Sequence, residues 1–277
     1  MLLRFSKMHG LGNDLMVLDL ISQHAYIQPQ KMREWSDRRF GVGFRRLALI
    51  EVPRHPDVDF GCRMFDQDGV EVDCLASDLC LVVRLVADKR LISKAQMRVE
   101  VRGVVLDVQL HVDGSVTVPL ATPKLEAEVT TLPASFTQLH QGSGWLLEIA
   151  LLILLQASRH AVLRVADLAR VPMAQLAGLL EQQAKFAVGD LVSVVQVQNH
   201  GQLNVRTWQL GRGELDSYHE GLSGIAVASV TQGWTDECLQ VGFAKGSANA
   251  VLEWRNKDQH VYFTGASTRV YEGQIRL

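Results

Sequence analysis

Apolar residues in this chain fall mostly in short runs and alternations rather than at helical spacing, which predicts strands grouped into two similar sets. Leu2 to Phe5 and Met16 to Leu20 are strand-like and flank His9-Gly10-Leu11-Gly12-Asn13-Asp14, where Gly10 and Gly12 permit positive φ and a tight loop. A helix is expected over Gln30 to Arg39, then a turn at Gly41 and Gly43 and a buried strand over Leu47 to Ile50. Met64 to Leu81 passes from strand through Asp68-Gly69 into a helix that continues to about Leu91. Met97 to Val118 alternates and is rich in valine, with Asp113-Gly114 as the hairpin signal.

Pro123 opens a linker-like crossing, so a boundary is expected near Ala121. A second set of strands begins at Leu146 and includes Ala157 to Val165. Val165 to Gln183 reads as helix and Val188 to Val197 as strand. Trp208 to Ser223 repeats the strand, glycine turn and helix of the first half, and Gln232-Gly233-Trp234 closes that helix. Val261 to Gln274 is strand-like again. The expected fold class is α+β.

The 277 residues are 47% hydrophobic and 21% charged, enough for two domains with a substantial core. A net charge of −2, without a basic run interleaved with aromatics, argues against nucleic acid or an acidic membrane as partner. Cys62, Cys74, Cys80 and Cys238 form no CxxC pair and no secreted disulfide framework, so no metal site is expected. Met1 to Gly10 lacks the apolar core of a signal peptide, and the apolar block from Leu146 to Leu155 is broken by Glu148 and too short to span a bilayer. The cytoplasm is the default expectation.

The residues that carry chemistry sit in five motifs. Met8-His9-Gly10-Leu11-Gly12-Asn13-Asp14 opens the chain, and Gly41-Val42-Gly43-Phe44-Arg45-Arg46-Leu47 follows. Then come Asp66-Gln67-Asp68-Gly69-Val70-Glu71-Val72-Asp73-Cys74-Leu75-Ala76-Ser77-Asp78 and Ser158-Arg159-His160-Ala161-Val162-Leu163-Arg164-Val165. The last is Trp208-Gln209-Leu210-Gly211-Arg212-Gly213-Glu214-Leu215-Asp216-Ser217-Tyr218-His219-Glu220-Gly221. Together with Thr264-Gly265 and Val270-Tyr271-Glu272-Gly273 they make the whole chain resemble the diaminopimelate epimerases, cofactor-free enzymes that invert an amino-acid α-carbon.

The resemblance implies two barrels, each wrapped around a central helix, with the last strand returning to the first barrel. In that arrangement residues 1–121 plus 266–277 form the N-terminal barrel and 122–265 the C-terminal one. It also implies no cofactor, a homodimer, and a pocket for a small amino-acid-like ligand. Pocket positions carried over are Asn13, Arg46, Asp66, Ala76, Ser77, Ser158, Leu191, Gln209, Leu210, His219 and Glu220. Taken alone, Asn13 reads equally as a turn residue, and Arg45 and Arg46 as a solvated charge pair that replaces the family's acid and amide.

The family's chemistry uses two thiols on opposite faces of the α-carbon, one removing a proton while the other donates. Those cysteine positions fall on Leu75 and Tyr218 here. Leu75 cannot ionise, and a tyrosine with a reference pKa of about 10 is a weak base at neutral pH. A one-residue shift would put Cys74 in the first catalytic position. The family also aims both helix N-termini at substrate carboxylates. Ser77, Asp78 and Glu220 stand there instead, expected to cap the free N–H groups and to repel an anion.

These features lead to a catalytically degenerate homologue kept for binding or assembly, alone or in a heterodimer with a true epimerase. The alternative is a repurposed isomerase using Tyr218, His219, Glu220, Asp66 and His160; phenazine-biosynthesis isomerases share this general fold. A genuine epimerase of lysine and peptidoglycan-precursor biosynthesis, working through Cys74, is the third reading.

Overall fold

The computed structural model describes residues 1–120, 147–155, 158–183, 186–215, 221–243, 249–255 and 260–277. The chain divides into two compact units, Met1–Pro119 with Phe263–Leu277, and Leu120–Tyr262. Each is a sheet curled around one helix.

The first unit contains β1 (Leu2–Gly10), β2 (Asn13–Asp19), α1 (Pro29–Ser36), β3 (Arg46–Glu51), β4 (Phe60–Phe65) and β5 (Glu71–Val72). The central helix α2 (Ala76–Asp88) follows, then β6 (Gln96–Val101), β7 (Val104–Leu110) and β8 (Val116–Pro119). In the second unit come β9 (Leu147–Leu155), β10 (Ser158–Val165), α3 (Met173–Glu181), β11 (Leu191–Asn199), β12 (Gln202–Gln209) and β13 (Gly213–Glu214). The helix α4 (Leu222–Thr231), β14 (Cys238–Phe243) and β15 (Asn249–Glu253) complete that series; β16 (Tyr262–Gly265) and β17 (Thr268–Arg276) end the chain.

The two pairing schemes are the same. In the first unit β1–β2 is antiparallel, β2–β3 parallel, β3–β4 and β4–β5 antiparallel, β4–β6 parallel and β6–β7 antiparallel. In the second, β9–β10, β10–β11, β11–β12, β12–β13, β12–β14 and β14–β15 repeat that order of senses. β17 lies antiparallel on β1.

Helix α2 has to be central because it is apolar all round: Leu79, Cys80, Leu81, Val82, Val83, Leu85 and Val86 are all buried. Apart from Asp78 in the first turn, its charged residues come at the far end, where Arg84 binds Asp88 and the Gly114 carbonyl. Helix α4 is likewise buried on every side but uses smaller residues. The β1–β2 turn places Leu11 and Gly12 at φ 48° and 77°. Gly10 is not among the positive-φ residues; a Cβ there would come within 3.0 Å of Leu81 and 3.2 Å of the Ala266 carbonyl, so close packing explains that glycine.

Several expected elements move. Helix α1 stops at Ser36 rather than Arg39, because Asp37 adopts an extended conformation and its carboxylate accepts from the N–H groups of Arg39 and Phe40. The single helix expected over Val165 to Gln183 is a strand end, one 3-10 turn at Leu168–Arg170 and α3, since Pro172 interrupts it. Met97 to Val118 holds an additional turn at Arg102-Gly103, with both residues at positive φ.

Candidate functional site

The start of α2 is built from three strands. Leu75 is the N-cap, in extended conformation, and offers no side-chain cap. Ala76, Ser77 and Asp78 form the first helical turn, and Asp78 is completely buried. Its carboxylate does not cap the helix as expected. It accepts a hydrogen bond from Asn13 Nδ2 on one oxygen, and Arg46 Nη1 lies 3.3 Å from the other. Arg46 also donates to the Asp73 carbonyl at 2.8 Å, and its side chain is only 18% exposed.

Arg46 is therefore a half-buried ion-pair partner rather than half of a solvated charge pair, and Asn13 is buried as a donor rather than turned into the loop. Burial pushes the Asp78 carboxyl up to about 6, against the opposing pull of Arg46 and Asn13, so it is ionised at neutral pH. Ser77 Oγ is buried without a hydrogen-bond partner.

Cys74 is half-buried just before the cap and donates weakly to the Leu75 carbonyl at 3.6 Å. The adjoining Cys62 thiol, then burial, push its thiol well above the ordinary cysteine range. A thiol so placed carries its proton at neutral pH.

The start of α4 is organised differently. Gly221 is the N-cap at φ 87°, and Ser223 and Gly224 lie in the first turn. His160 is fully buried, with Nε2 2.8 Å from Ser193 Oγ, which in turn lies 2.6 Å from Thr207 Oγ1. Its ring packs under the helix start: a Cβ on Gly224 would come within 2.5 Å of Nδ1, and one on Gly221 within 2.5 Å of Cε1. Burial holds the imidazole down at about 3, so His160 is neutral across the physiological range.

The remaining candidates are placed as follows. Asp66 accepts from the N–H groups of Asp68 and Val70 and serves its own turn. Leu191 is buried, pairs with His160 in the β10–β11 register, and stands beside Gly221. Gln209 donates to the Gly189 carbonyl and accepts from Arg212. Leu210 packs with Leu176, Met173 and Val194 in the cluster beneath α3. Ser158 begins β10, and Tyr218, His219 and Glu220 lie outside the described residues.

Three site residues were absent from the sequence-derived set. Asp78 was visible as an acid at a helix start, but nothing in the sequence tied it to Asn13 and Arg46. Ser193 and Thr207 occupy inward positions on strands that are otherwise valine and leucine there, and a polar residue breaking such an alternation was the signal for them. Among the described residues, no group of three or more His, Cys, Asp or Glu is placed to hold a metal ion. No helix there is long and apolar enough to cross a membrane.

Two curled sheets around central helices, each helix opening next to a polar cluster, define the class of the epimerase-like isomerase folds. A phenazine biosynthesis protein of the PhzF family from Enterococcus faecalis superposes with a TM-score of 0.70 at 13% identity, covering 100% of both chains. A hydroxyproline epimerase from Agrobacterium vitis gives 0.64 at 12%, covering 99% of this chain and 92% of that one. No family model matches the sequence. Relatives do: the diaminopimelate epimerases of Ectopseudomonas mendocina, Azotobacter vinelandii and Pseudomonas syringae pv. tomato are 41%, 40% and 39% identical, each over 100% of both sequences. The chain belongs to the diaminopimelate epimerase family.

Proposed function

We propose that this chain is a catalytically silent member of its family, retained for binding or assembly rather than for inverting an α-carbon. The observation that carries the reading is the ion pair at the start of α2. Asp78 engages Asn13 and Arg46, two side chains that would otherwise be available to an anionic ligand. An incoming carboxylate would have to displace Asp78 or lie against its charge, and both are costly in a buried site. Leu75 at the cap supplies no base. Cys74 is driven toward its protonated form, which supports excluding it as the replacement base. His160, held neutral and spent on Ser193, supports a packing role.

Self-association suits this reading. Strand β17 carries exposed Val270 and Tyr271. A second copy, or a catalytically intact relative, would cover these exposed side chains.

The deciding experiment is α-proton exchange in D2O, followed by NMR with diaminopimelate and a panel of amino acids. A cysteine-bearing family member serves as positive control. The expected result is no exchange above buffer from folded protein. Exchange that disappears in Cys74→Ala would overturn the proposal in favour of an active epimerase. Light scattering at micromolar concentration, with and without the active relative, reads the assembly half of the proposal.

A further inference from the structure

A second polar cluster lies across β3, β4 and β6 and shares no residue with the Asp78 ion pair. Along β4, buried Phe60, Cys62 and Met64 alternate with Gly61 and Arg63; along β6, buried Val99 and Val101 flank Glu100. The register sets Glu51 opposite Gly61 and Gly61 opposite Glu100. The three therefore form one row, on the sheet face opposite to Cys62 and Val101. Neighbouring strands lie about 4.8 Å apart, which puts the Cα atoms of the two glutamates about 10 Å apart with no side chain between them. The trough over Gly61 is a cavity of about 100 Å³ that Arg63, Glu71 and Arg102 also line. It has the room of about three water molecules.

Most charges around this cavity are already matched. Arg63 donates to Glu71 at 2.7 and 3.1 Å and reaches Glu51 only at 3.5 Å. Arg102 is held by Asp73 at 2.6 Å. Arg54 also borders the cavity, and with Arg63 foremost and Arg102 it holds the Glu71 carboxyl below the usual carboxylate range. Glu100 is left over. It is only 9% exposed, and its Oε2 has no hydrogen-bond partner among the described residues. A buried carboxylate oxygen without a donor is costly, and a donor brought from outside the chain removes that cost.

The geometry points to a binding site for a small organic cation that donates N–H hydrogen bonds, a guanidinium or primary ammonium group, held between Glu100 and Glu51 over Gly61. Glu100 supplies the buried acceptor. Glu51, engaged by Arg63 only at 3.5 Å, supplies the outer one. A charged donor on a carboxylate makes a bond roughly twice as strong as a neutral pair, so one such group satisfies Glu100 where a water would do so weakly. The site stands whether or not the chain is catalytically silent, because binding is read directly rather than through activity.

The test titrates methylguanidinium and, separately, methylammonium into the folded, full-length protein at constant ionic strength. The amide signals of Gly61 and Gly103, which border the cavity, are followed by NMR. At least one of the two cations should shift both signals saturably, and the tighter binder identifies the headgroup. Tetramethylammonium, which carries the charge without an N–H, and sodium should leave them unmoved. Glu100→Gln should weaken binding about tenfold, because a neutral amide replaces the buried acceptor. Glu51→Gln should weaken it by a smaller factor, and it tests the same site where Glu100→Gln folds poorly. The proposal is overturned if neither cation shifts the wild-type signals, or if tetramethylammonium or sodium acts equally well. It is also overturned if the glutamine variants bind as the wild type does. Binding seen only in Arg54→Ala overturns it too, since the chain's own arginine would then be the occupant.

Discussion

The two helix starts occupy equivalent positions on one scaffold and have reached opposite electrostatic solutions. The parallel registers Leu15 with Arg46 and His160 with Leu191 bring the units into correspondence residue by residue. Arg46 matches Leu191, Leu15 matches His160, and Asp78, seven residues after Glu71, matches Gly221, seven residues after Glu214. In the first unit the strand positions beneath the helix are Leu15, Ala48 and Met64, all apolar and buried, and charge is concentrated above them in Asp78 and Arg46. In the second, the matching positions are His160, Ser193 and Thr207, a neutral chain with no ionised member. A side chain at this position and a ring below it exclude one another, because the Gly221 Cβ site is taken by His160. One unit kept the carboxylate and the other kept the ring.

The scaffold between these sites is nearly identical. Arg63 clamps Glu71 in the first unit at 2.7 Å, and Arg206 clamps Glu214 at 2.7 Å in the second, each across the hairpin that leads to its helix. Two nitrogens of each arginine donate to one carboxylate, on a single oxygen in Glu71 and on both in Glu214, which fixes the hairpin without reference to ligand. These pairs explain how the frame persists where the chemistry does not.

This contrast can be broken most sharply with pH. His160 has its pKa lowered from 6.5 to about 3, so the stability it contributes is complete above pH 6.5 and lost as pH falls toward 3, up to about 5 kcal/mol. Asp78 has its pKa raised from 3.8 to about 6, so its contribution is complete below pH 3.8 and lost as pH rises through 6, about 3 kcal/mol. Between pH 4 and 6 the two slopes oppose each other at ~1.4 kcal/mol per pH unit. Chemical denaturation, summed over both units, should therefore vary little in that range for the wild type. Asp78→Asn should make stability climb with pH, and His160→Gln should make it fall. Parallel profiles for the two variants would refute the assignment.

Next in size is Arg46→Leu, which gives the first unit the residue of the second. It strands the buried Asp78 carboxylate and should cost about 3 kcal/mol at pH 7. Much less should be lost at pH 5, where Asp78 is protonated. Adding Asp78→Leu should restore most of the loss. An equal cost at both pH values would mean that the ion pair is not what Arg46 provides.

Ser77→Ala is the smallest test. Its hydroxyl is buried and unpartnered, so removal should stabilise the chain by about 1 kcal/mol or leave it unchanged, read from the denaturant midpoint. A clear destabilisation would show that Ser77 has a role at the helix start beyond packing.

Much of this was legible before the structure. Strand alternation, the glycine turns and the uniformly apolar run of α2 follow from local propensity and period, and the motif spacing carried the family. Where local reading failed, a backbone detail had intervened: Pro172 broke one expected helix, and the Asp37 carboxylate engaged the backbone after another.

By itself, the sequence determined that position 75 holds no ionisable side chain and that each half runs strand, glycine turn, helix, because those properties belong to single residues and short windows. Only the tertiary structure decided that Asp78 meets Asn13 across 65 residues and Arg46 across 32, and that a histidine beside a strand is buried and neutral. Sheet register brings residues distant in the chain into hydrogen-bonding range. Burial then sets the protonation of the groups that meet, and neither quantity is a property of any local stretch.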